Sequence, residues 1–346
     1  GFNNRGGMWF STAEETPRAT WEETKALALA AEAAGFEALV PNARWKGFGG
    51  SSDYNLWSLE AIPWAAGLAE ATSRIHIFAT VHAPTIHPVR MAKQAATIDH
   101  ISGGRFGLNV VAGWNPAEMA MFGREVQDHP DRYAFATEWM DLVERLWTSP
   151  GEFDYAGRYF TAEGAISIPH PVQSPRPVVM NAAISETGRR FAARFADINF
   201  MVSDDPEDVS AYVTGIKRLA REEFDRDINV MTQIGIIIGE TEADARKRLD
   251  HWLKDLGDWE AVRRFANMNL ETAPDFAFDS KEMRVAMGHH SAPLVGTPEQ
   301  IVEKIAMFKK AGISGAAVNW VDYAEGIRQY DELLRPLLVD AGLRRF

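Results

Sequence analysis

Short apolar runs and longer amphipathic stretches alternate along most of the chain. Runs that are apolar throughout need cover on both faces, which is typical of strands in a parallel sheet flanked by helices. Stretches with apolar residues three and four positions apart separate these runs and predict helices. The sequence predicts seven strands, at Phe36–Val40, Ile75–Thr80, Phe106–Val111, Val178–Asn181, Ile198–Val202, Asn229–Ile238 and Gly315–Trp320.

Capping residues mark where several of the predicted helices begin. Thr20-Trp-Glu-Glu23 and Thr297-Pro-Glu-Gln300 have the pattern of a capping box, and Ser185 precedes a helical stretch that starts at Glu186. This alternation predicts one α/β domain over residues 1–346, a (β/α)8 TIM barrel. The chain starts with Gly rather than Met, so an eighth strand is expected before Gly6, trimmed or very short.

A doubly wound open sheet is the alternative fold for such an alternation. That fold often carries a G-x-G-x-x-G turn after a strand, and no such turn follows any predicted strand here. The barrel is therefore the favoured interpretation. In a barrel the active site lies where the strands end, so the residues that follow the strands are the candidates for chemistry.

Two segments interrupt the alternation. Between about 153 and 170, polar residues alternate with aromatic or aliphatic ones around Gly157 and Gly164, which predicts an inserted hairpin. The stretch from about 273 to 295 is longer and looser, and it contains the pair His289-His290. Its length indicates a mobile lid rather than a packed element, with histidines that are solvated or that close over a substrate.

Composition narrows the possible functions. The 36 Lys and Arg residues against 48 Asp and Glu residues give a formal net charge of −12, which argues against a nucleic-acid or membrane-surface partner. No apolar run approaches the roughly 18 residues of a membrane-spanning helix. The chain has no cysteine, which fits a cytoplasmic location and excludes thiolate chemistry. Redox chemistry would therefore need a borrowed cofactor.

Polar residues near the strand ends are the candidates for that chemistry. Asn109 lies inside an apolar strand, where an amide without partners costs a few kcal/mol. Thr80 offers a hydroxyl at a strand end, although threonine suits any strand. Three roles are open for His82: it approaches a substrate, it donates a proton, or its ring makes only structural hydrogen bonds. His82 and His87 lie five positions apart, but no adjacent carboxylate completes a metal site, so no metal is predicted.

A longer block of sequence resembles a known family. Ser102-Gly-Gly-Arg-Phe-Gly-Leu-Asn-Val-Val-Ala-Gly-Trp114, preceded by Gln94-Ala-Ala-Thr-Ile-Asp99, resembles the bacterial luciferase-like, flavin-dependent monooxygenases. Lys46-Gly-Phe-Gly-Gly50 and Val295-Gly-Thr-Pro-Glu-Gln300 support the resemblance, which covers nearly the whole chain. Within the family the chain is most similar to the pyrimidine-cleaving branch and to the alkanesulfonate and dimethylsulfone branches.

The resemblance implies a barrel that binds reduced FMN and reacts with O2. It implies FMN contacts at Ala43, Arg44, Asn109, Glu118, Arg132, Tyr133 and Ser185. It places Val40, Thr80 and Asn109 beside the flavin edge that meets oxygen, and we add His82 as a catalytic candidate. On the residues alone, Ser185 is equally an ordinary helix cap and Arg132 a solvated surface residue. The relatives carry Ile-Lys at positions 43 and 44, so the planar Arg44 keeps the charge but changes the contact.

These features together predict a two-component monooxygenase. A separate NAD(P)H-dependent flavin reductase would deliver the reduced FMN, and a pyrimidine-type amide C–N bond is the favoured bond to be cleaved. Cleavage of a C–S bond in an alkanesulfonate or sulfone is the alternative, and hydride transfer with a deazaflavin coenzyme is a further one. The family resemblance also implies a homo-oligomer, a dimer or a tetramer.

Overall fold

Ten strands are present in the part of the chain that the structure describes. A computed structural model describes residues 2–126, 128–203, 205–269 and 281–345. The strands are β1 (Ala38–Leu39), β2 (His76–His82), β3 (Phe106–Val111), β4 (Phe153–Ala156), β5 (Thr161–Ala165), β6 (Val178–Asn181), β7 (Ile198–Met201), β8 (Asn229–Ile238), β9 (Ala292–Gly296) and β10 (Gly315–Asn319).

Helices separate almost all of the strands that share the main sheet. They are α1 (Trp21–Ala33), α2 (Ala61–Ala71), α3 (Pro88–Ser102), α4 (Pro116–Met121), α5 (His129–Thr148), α6 (Glu186–Phe195), α7 (Pro206–Phe224), α8 (Glu242–Asp250), α9 (Trp259–Asn269), α10 (Lys281–Ala286), α11 (Pro298–Lys310), α12 (Tyr323–Gln329) and α13 (Arg335–Asp340). Thr20, Ser185 and Thr297 each accept a hydrogen bond from a backbone N–H in the first turn of the helix that follows. The full capping box forms at Thr297 but not at Thr20, because the Glu23 carboxylate accepts from the Arg18 N–H instead. No helix in the described ranges is both long and apolar enough to cross a membrane.

The main sheet follows the chain order β1-β2-β3-β6-β7-β8-β10, and all of its neighbouring strands are parallel. A doubly wound sheet reverses its strand order at a switch point, and no reversal occurs along this path, so the barrel prediction is confirmed. All seven predicted strands are present: β3, β6 and β8 have the predicted bounds, β1, β7 and β10 are shorter, and β2 is one residue longer. Thr80 lies opposite Asn109 in the register of β2 and β3.

The eighth strand expected before Gly6 is not found among the described residues. Residues 2–11 form turns and single bridges instead, such as the bridge between Asn4 and Ser58. A cavity of about 130 Å³ lies between β1 and β10 and is lined partly by Phe2.

The predicted insertion is a hairpin, because β4 and β5 pair antiparallel. The lid was predicted at about 273–295, and its first part, 273–280, lies outside the described residues. Over 281–295 the prediction of a loose lid is wrong. β9 pairs in parallel with the end of β8, and Val285 and Met287 pack into a buried cluster with Phe10. Alternate residues of β9 are buried, which anchors this segment to the barrel.

Candidate active site at the strand ends

A cavity of about 570 Å³ opens at the carboxyl ends of the parallel strands. Its size falls within the range of roughly 300–1,000 Å³ that is usual for small-molecule sites. The walls come from the ends of most strands of the main sheet, as expected for a barrel. The predicted site residues that line it are Val40, Ala43, Arg44, Thr80, His82 and Asn109. The structure therefore brings six candidates from three strand ends to one place.

Asn109 and Thr80 form a hydrogen-bonded relay on the cavity wall. The Asn109 Nδ2 donates to the Thr80 Oγ1 at 3.0 Å, and the Thr80 hydroxyl donates to the Pro41 carbonyl oxygen at 2.6 Å. A hydroxyl has only one hydrogen to donate. The Thr80 hydroxyl therefore cannot also donate into the cavity, which corrects the prediction that it offers a proton there.

The relay leaves one acceptor of Asn109 without a partner. Because Thr80 must receive its hydrogen bond from the amide nitrogen, the orientation of the amide is fixed, and the Oδ1 is buried with no partner in the protein. Buried polar atoms are usually hydrogen-bonded, and because this one lies in a cavity wall, a ligand bound there can use it as an acceptor. The partner that fits the Asn109 Oδ1 is a hydrogen-bond donor.

His82 is neutral and buried. Only 1% of the residue is exposed, and burial, helped by the nearby Arg44 charge, lowers the pKa of His82 from its ordinary 6.5 to about 3. Its Nδ1 has no hydrogen-bond partner. An imidazole with such a pKa is not protonated near neutral pH, so His82 is a neutral ring on the cavity wall and not a cationic acid. His87 does not share this site, because its ring caps α3 by accepting from the Val89 N–H.

Arg44 supplies a fixed positive charge to the cavity. Its Nη1 donates to the Ala43 carbonyl oxygen at 2.9 Å, and its guanidinium lies 5.7 Å from the Phe48 ring and 5.2 Å from the Trp114 ring. The two rings are nearly parallel, with 7° between their planes. The Arg44 Nε has no partner, and no carboxylate is among the described residues that line the cavity. The site is thus positive within a chain of charge −12.

Glu118 lies outside this cavity and holds the loop that carries Arg44. Its Oε1 accepts hydrogen bonds from the backbone N–H of Trp45 at 3.0 Å and of Lys46 at 3.3 Å. The residue is completely buried, and its Oε2 has no partner. Glu118 therefore positions Arg44 rather than facing the cavity directly.

Arg132 also acts on a loop in this structure. It lies in α5 and its Nη1 donates to the Gly113 carbonyl oxygen at 2.9 Å, in the turn after β3. Gly113 has a φ of 87°, which a side chain would strain. Arg132 does not line the main cavity; it lines a smaller one, of about 40 Å³, beneath that turn.

Tyr133 and Ser185 meet at the first turn of α6. Ser185 caps the helix by accepting from the Gly188 N–H at 3.2 Å, and its side chain is hydrogen-bonded to Tyr133. A Cβ on Gly188 would lie only 2.8 Å from the Tyr133 hydroxyl, so the absence of a side chain allows the contact. Ile184, which precedes Ser185, lines the main cavity. The start of α6 thus lies beside the cavity opening.

His289 is a cavity residue, whereas the sequence left it open whether this histidine is solvated or closes over a substrate. It lines the cavity, stacks on Phe265 with ring centroids 4.5 Å apart, and bonds the Tyr54 hydroxyl through Nε2 at 3.1 Å. Its φ of 52° is in the left-handed region, which costs a residue other than glycine roughly 1–2 kcal/mol. The apolar Val285–Met287 before Gly288 was the signal that this turn is anchored in a core.

Known proteins resemble this chain over nearly its whole length. Residues 5–315 match the model of the luciferase-like monooxygenase family. Pyrimidine monooxygenase RutA of Bradyrhizobium sp. strain BTAi1 is 31% identical, over 98% of this chain and 95% of that protein. Pyrimidine monooxygenase RutA of Escherichia coli O81 is also 31% identical, over 96% of this chain and 88% of that protein.

Solved structures share the fold. A riboflavin lyase (RcaE), determined with modified FMN and riboflavin, superposes with a TM-score of 0.87 at 21% identity and covers 99% of this chain and 90% of its own. The long-chain alkane monooxygenase LadA has a TM-score of 0.86 at 21% identity, with the same coverage of both chains. Both likenesses confirm the barrel. The family resemblance carried by Ser102–Trp114 is confirmed as well, and the chain belongs to the luciferase-like monooxygenase family.

Proposed function

We propose that this protein is a two-component monooxygenase that uses reduced FMN and O2 to cleave an amide C–N bond in a pyrimidine-like ring. Membership of the monooxygenase family and 31% identity to pyrimidine monooxygenases over 98% of the chain support this choice of substrate. The observation that carries the proposal is the cavity at the strand ends, where Asn109 presents a buried acceptor without a partner.

The chain's own residues fit FMN. A flavin ring carries both hydrogen-bond donors and acceptors. The buried Asn109 Oδ1 lacks a donor, and the buried Arg44 Nε lacks an acceptor. The phosphate suits the start of α6, where free N–H groups and the helix dipole favour an anion. Tyr133 and Ser185 would hold it there, close to the cavity-lining Ile184. Ala43 would contribute backbone contacts, while Glu118 and Arg132 would shape the two loops from behind.

Each cavity residue has a role that follows from its contacts. Bound reduced FMN would supply the two electrons that reduce O2 to the level of peroxide, which would add to the amide carbonyl carbon as the C–N bond breaks, the nitrogen leaving with a proton and the carbonyl carbon as a peracid. Asn109 and Thr80, locked by the bond to Pro41, give this wall a fixed shape beside Val40. Arg44 stabilises negative charge that develops in the reaction, because a fixed cation is most effective where water is scarce.

His82 and Trp114 enclose the remaining space. A neutral His82 offers a hydrogen bond without adding a second charge beside Arg44, and the Trp114 ring provides an apolar face for a flat substrate. Together they exclude water, which strengthens every polar contact inside the site.

A single-turnover experiment tests the proposed reaction. Photoreduced FMN bound to the protein is mixed with ¹⁸O-labelled O2 and either uracil or a small alkanesulfonate, and the products are identified by mass spectrometry. We expect the ¹⁸O label in a ring-opened uracil product. Labelled product from the sulfonate alone would favour C–S cleavage, and product from neither compound would overturn both substrate assignments.

A matched titration separates the two coenzyme classes. Reduced FMN and a reduced deazaflavin are added to the protein without oxygen, and binding is followed by the fluorescence of the tryptophans near the cavity. We expect saturable binding of FMN with a loss of affinity in Asn109→Leu. Preference for the deazaflavin would overturn the monooxygenase assignment in favour of hydride transfer.

We further propose a cytoplasmic two-component system. A separate NAD(P)H-dependent flavin reductase supplies reduced FMN, and the absence of cysteine fits a reducing compartment. The chain acts as a homo-oligomer, a dimer or a tetramer, which mass photometry of the purified protein checks.

A further inference from the structure

His289 lines the cavity, and the contacts that we assign to FMN do not use its ring. Whether its Nδ1 donates or accepts a hydrogen bond depends on which of the two ring nitrogens carries the hydrogen. The neighbours of that ring decide the question.

Tyr54 fixes the tautomer of His289. The Tyr54 hydroxyl donates to the Met8 carbonyl oxygen at 2.9 Å, and that buried oxygen accepts no other hydrogen bond among the described residues. A buried carbonyl needs a donor, so the single hydroxyl hydrogen stays on this bond. The Tyr54 oxygen must then accept from His289, whose Nε2 lies 3.1 Å away and carries the ring hydrogen.

The ring of His289 is neutral and its Nδ1 is left over. Burial and the charge of Arg44 lower the pKa of His289 well below its ordinary 6.5. With the hydrogen on Nε2, the Nδ1 has only a lone pair. It has no hydrogen-bond partner among the described residues, and the side chain lines the cavity. Stacking on Phe265 and the bond to Tyr54 hold the ring in place.

We propose that His289 selects the substrate, its Nδ1 accepting a hydrogen bond from an N–H of a cyclic amide or imide. The inference rests on the proposed function, because it names the group by which the same cavity recognises its ring substrate. A ring methylated on nitrogen, or a sulfone without N–H groups, leaves this acceptor unsatisfied. Sites built around a polar partner reject analogues that lack it much more strongly than apolar pockets do.

Nitrogen-15 NMR of the histidine rings tests the inference directly. The probe is the full chain with oxidised FMN, labelled at histidine, and the His289 signals are assigned by their loss in His289→Asn. We expect the free protein to show a neutral ring with its hydrogen on Nε2. Uracil should shift the Nδ1 resonance in the direction of hydrogen-bond acceptance, whereas 1,3-dimethyluracil, which has no N–H, should not.

Binding measurements on two variants complete the test. His289→Phe keeps a ring to stack on Phe265 but has no acceptor, while His289→Asn keeps an acceptor and tolerates the left-handed backbone. Calorimetry should show that the preference for uracil over dimethyluracil falls about tenfold in His289→Phe, as expected for a lost buried hydrogen bond. His289→Asn should keep part of that preference.

Each outcome decides one point. If uracil binds and reacts while the Nδ1 resonance stays unchanged, the inference is wrong and the proposed function stands. If uracil does not bind but succinimide shifts the Nδ1 resonance, the acceptor role is supported and the pyrimidine assignment is wrong. A resting hydrogen on Nδ1, or no response to any ligand with an N–H, overturns the inference.

Discussion

At the residue scale, two buried asparagines of the barrel differ in how completely they are hydrogen-bonded. Asn109 and Asn199 are both buried asparagines on barrel strands. The Asn199 Nδ2 donates to two carbonyl oxygens and its Oδ1 accepts from the Tyr212 hydroxyl at 2.6 Å, whereas the Asn109 Oδ1 has no partner. An unsatisfied buried acceptor lowers stability by about 1–3 kcal/mol, so Asn109 is retained at a cost to folding.

Substitution by leucine should therefore mainly lower stability at Asn199 and mainly lower FMN affinity at Asn109. Asn199→Leu leaves the hydrogen-bond partners of Asn199 unsatisfied and should lower the free energy of unfolding by about 3 kcal/mol. Asn109→Leu removes an unsatisfied atom and should change it by less than about 1 kcal/mol, while FMN affinity falls at least tenfold. Urea unfolding without FMN and FMN titration measure the two effects. Equal destabilisation by both variants would show that Asn109 is structural.

His82 should make the stability of the protein depend on pH. Its folded pKa of about 3 is far below the unfolded value of 6.5, so between these values the unfolded chain binds the extra proton and stability falls as the pH falls. Above pH 6.5 the residue contributes no pH dependence. The slope reaches at most about 1.4 kcal/mol per pH unit. Urea unfolding at pH 7.5 and at pH 5.0 should give a smaller difference for His82→Gln than for the unchanged protein.

At the element scale, the start of α6 is a tightly packed piece of backbone beside the cavity. Ser185 caps the helix, Tyr133 from α5 bonds to Ser185, and Gly188 leaves room for both. A Cβ on Gly188 would lie 2.5 Å from the Ala183 Cβ and 2.8 Å from the Tyr133 hydroxyl, which is closer than real side chains approach. The helices α5 and α6 therefore contact each other at the site that we assign to the phosphate.

Gly188→Ala should separate Tyr133 from the helix start. We expect the free energy of unfolding to fall by about 1–3 kcal/mol and FMN affinity to fall about tenfold. Gly215→Ala is the matched control, because Gly215 is inside α7 and its Cβ would meet no atom within 4 Å. That control should raise stability by about 0.5–1 kcal/mol and leave FMN affinity unchanged. Thermal unfolding and FMN titration of both variants distinguish the effects, and an unaltered affinity in Gly188→Ala would place the phosphate elsewhere.

Strands and helices were predictable from the sequence where a local pattern is enough to identify them. The largely apolar run Phe106–Val111 identifies β3, because six residues are too few for a typical helix and the glycine turn at 103–104 precedes them. β9 was missed because Ala292–Gly296 is short and follows two histidines, and its burial depends on the far end of β8. In the same way, the polar relay from Asn109 through Thr80 to Pro41 joins three separate segments, which no local pattern reveals.

At the scale of the whole molecule, chemistry and stability occupy opposite ends of the barrel. The cavity lies at the carboxyl ends of the strands, while an ion network lies at their amino ends. Arg176 bonds Asp197 at 2.6 Å and Glu144 at 2.7 Å, and Arg226 bonds Asp197 at 2.7 Å. Asp197 also accepts from the Val179 N–H at 2.8 Å, which ties β6 to the start of β7. This division is the one expected of barrel enzymes.

The division predicts that Asp197→Asn separates stability from binding. The variant loses the charge that faces Arg176 and Arg226, so the free energy of unfolding should fall by about 2 kcal/mol, discounted from a fully buried pair because the side chain is 35% exposed. FMN affinity should stay within about twofold, since distant sites act independently. Denaturant unfolding and FMN titration of Asp197→Asn and Asn109→Leu side by side provide the check. The two variants should show opposite patterns, and loss of FMN binding in Asp197→Asn, with binding retained in Asn109→Leu, would move the active site away from the strand ends.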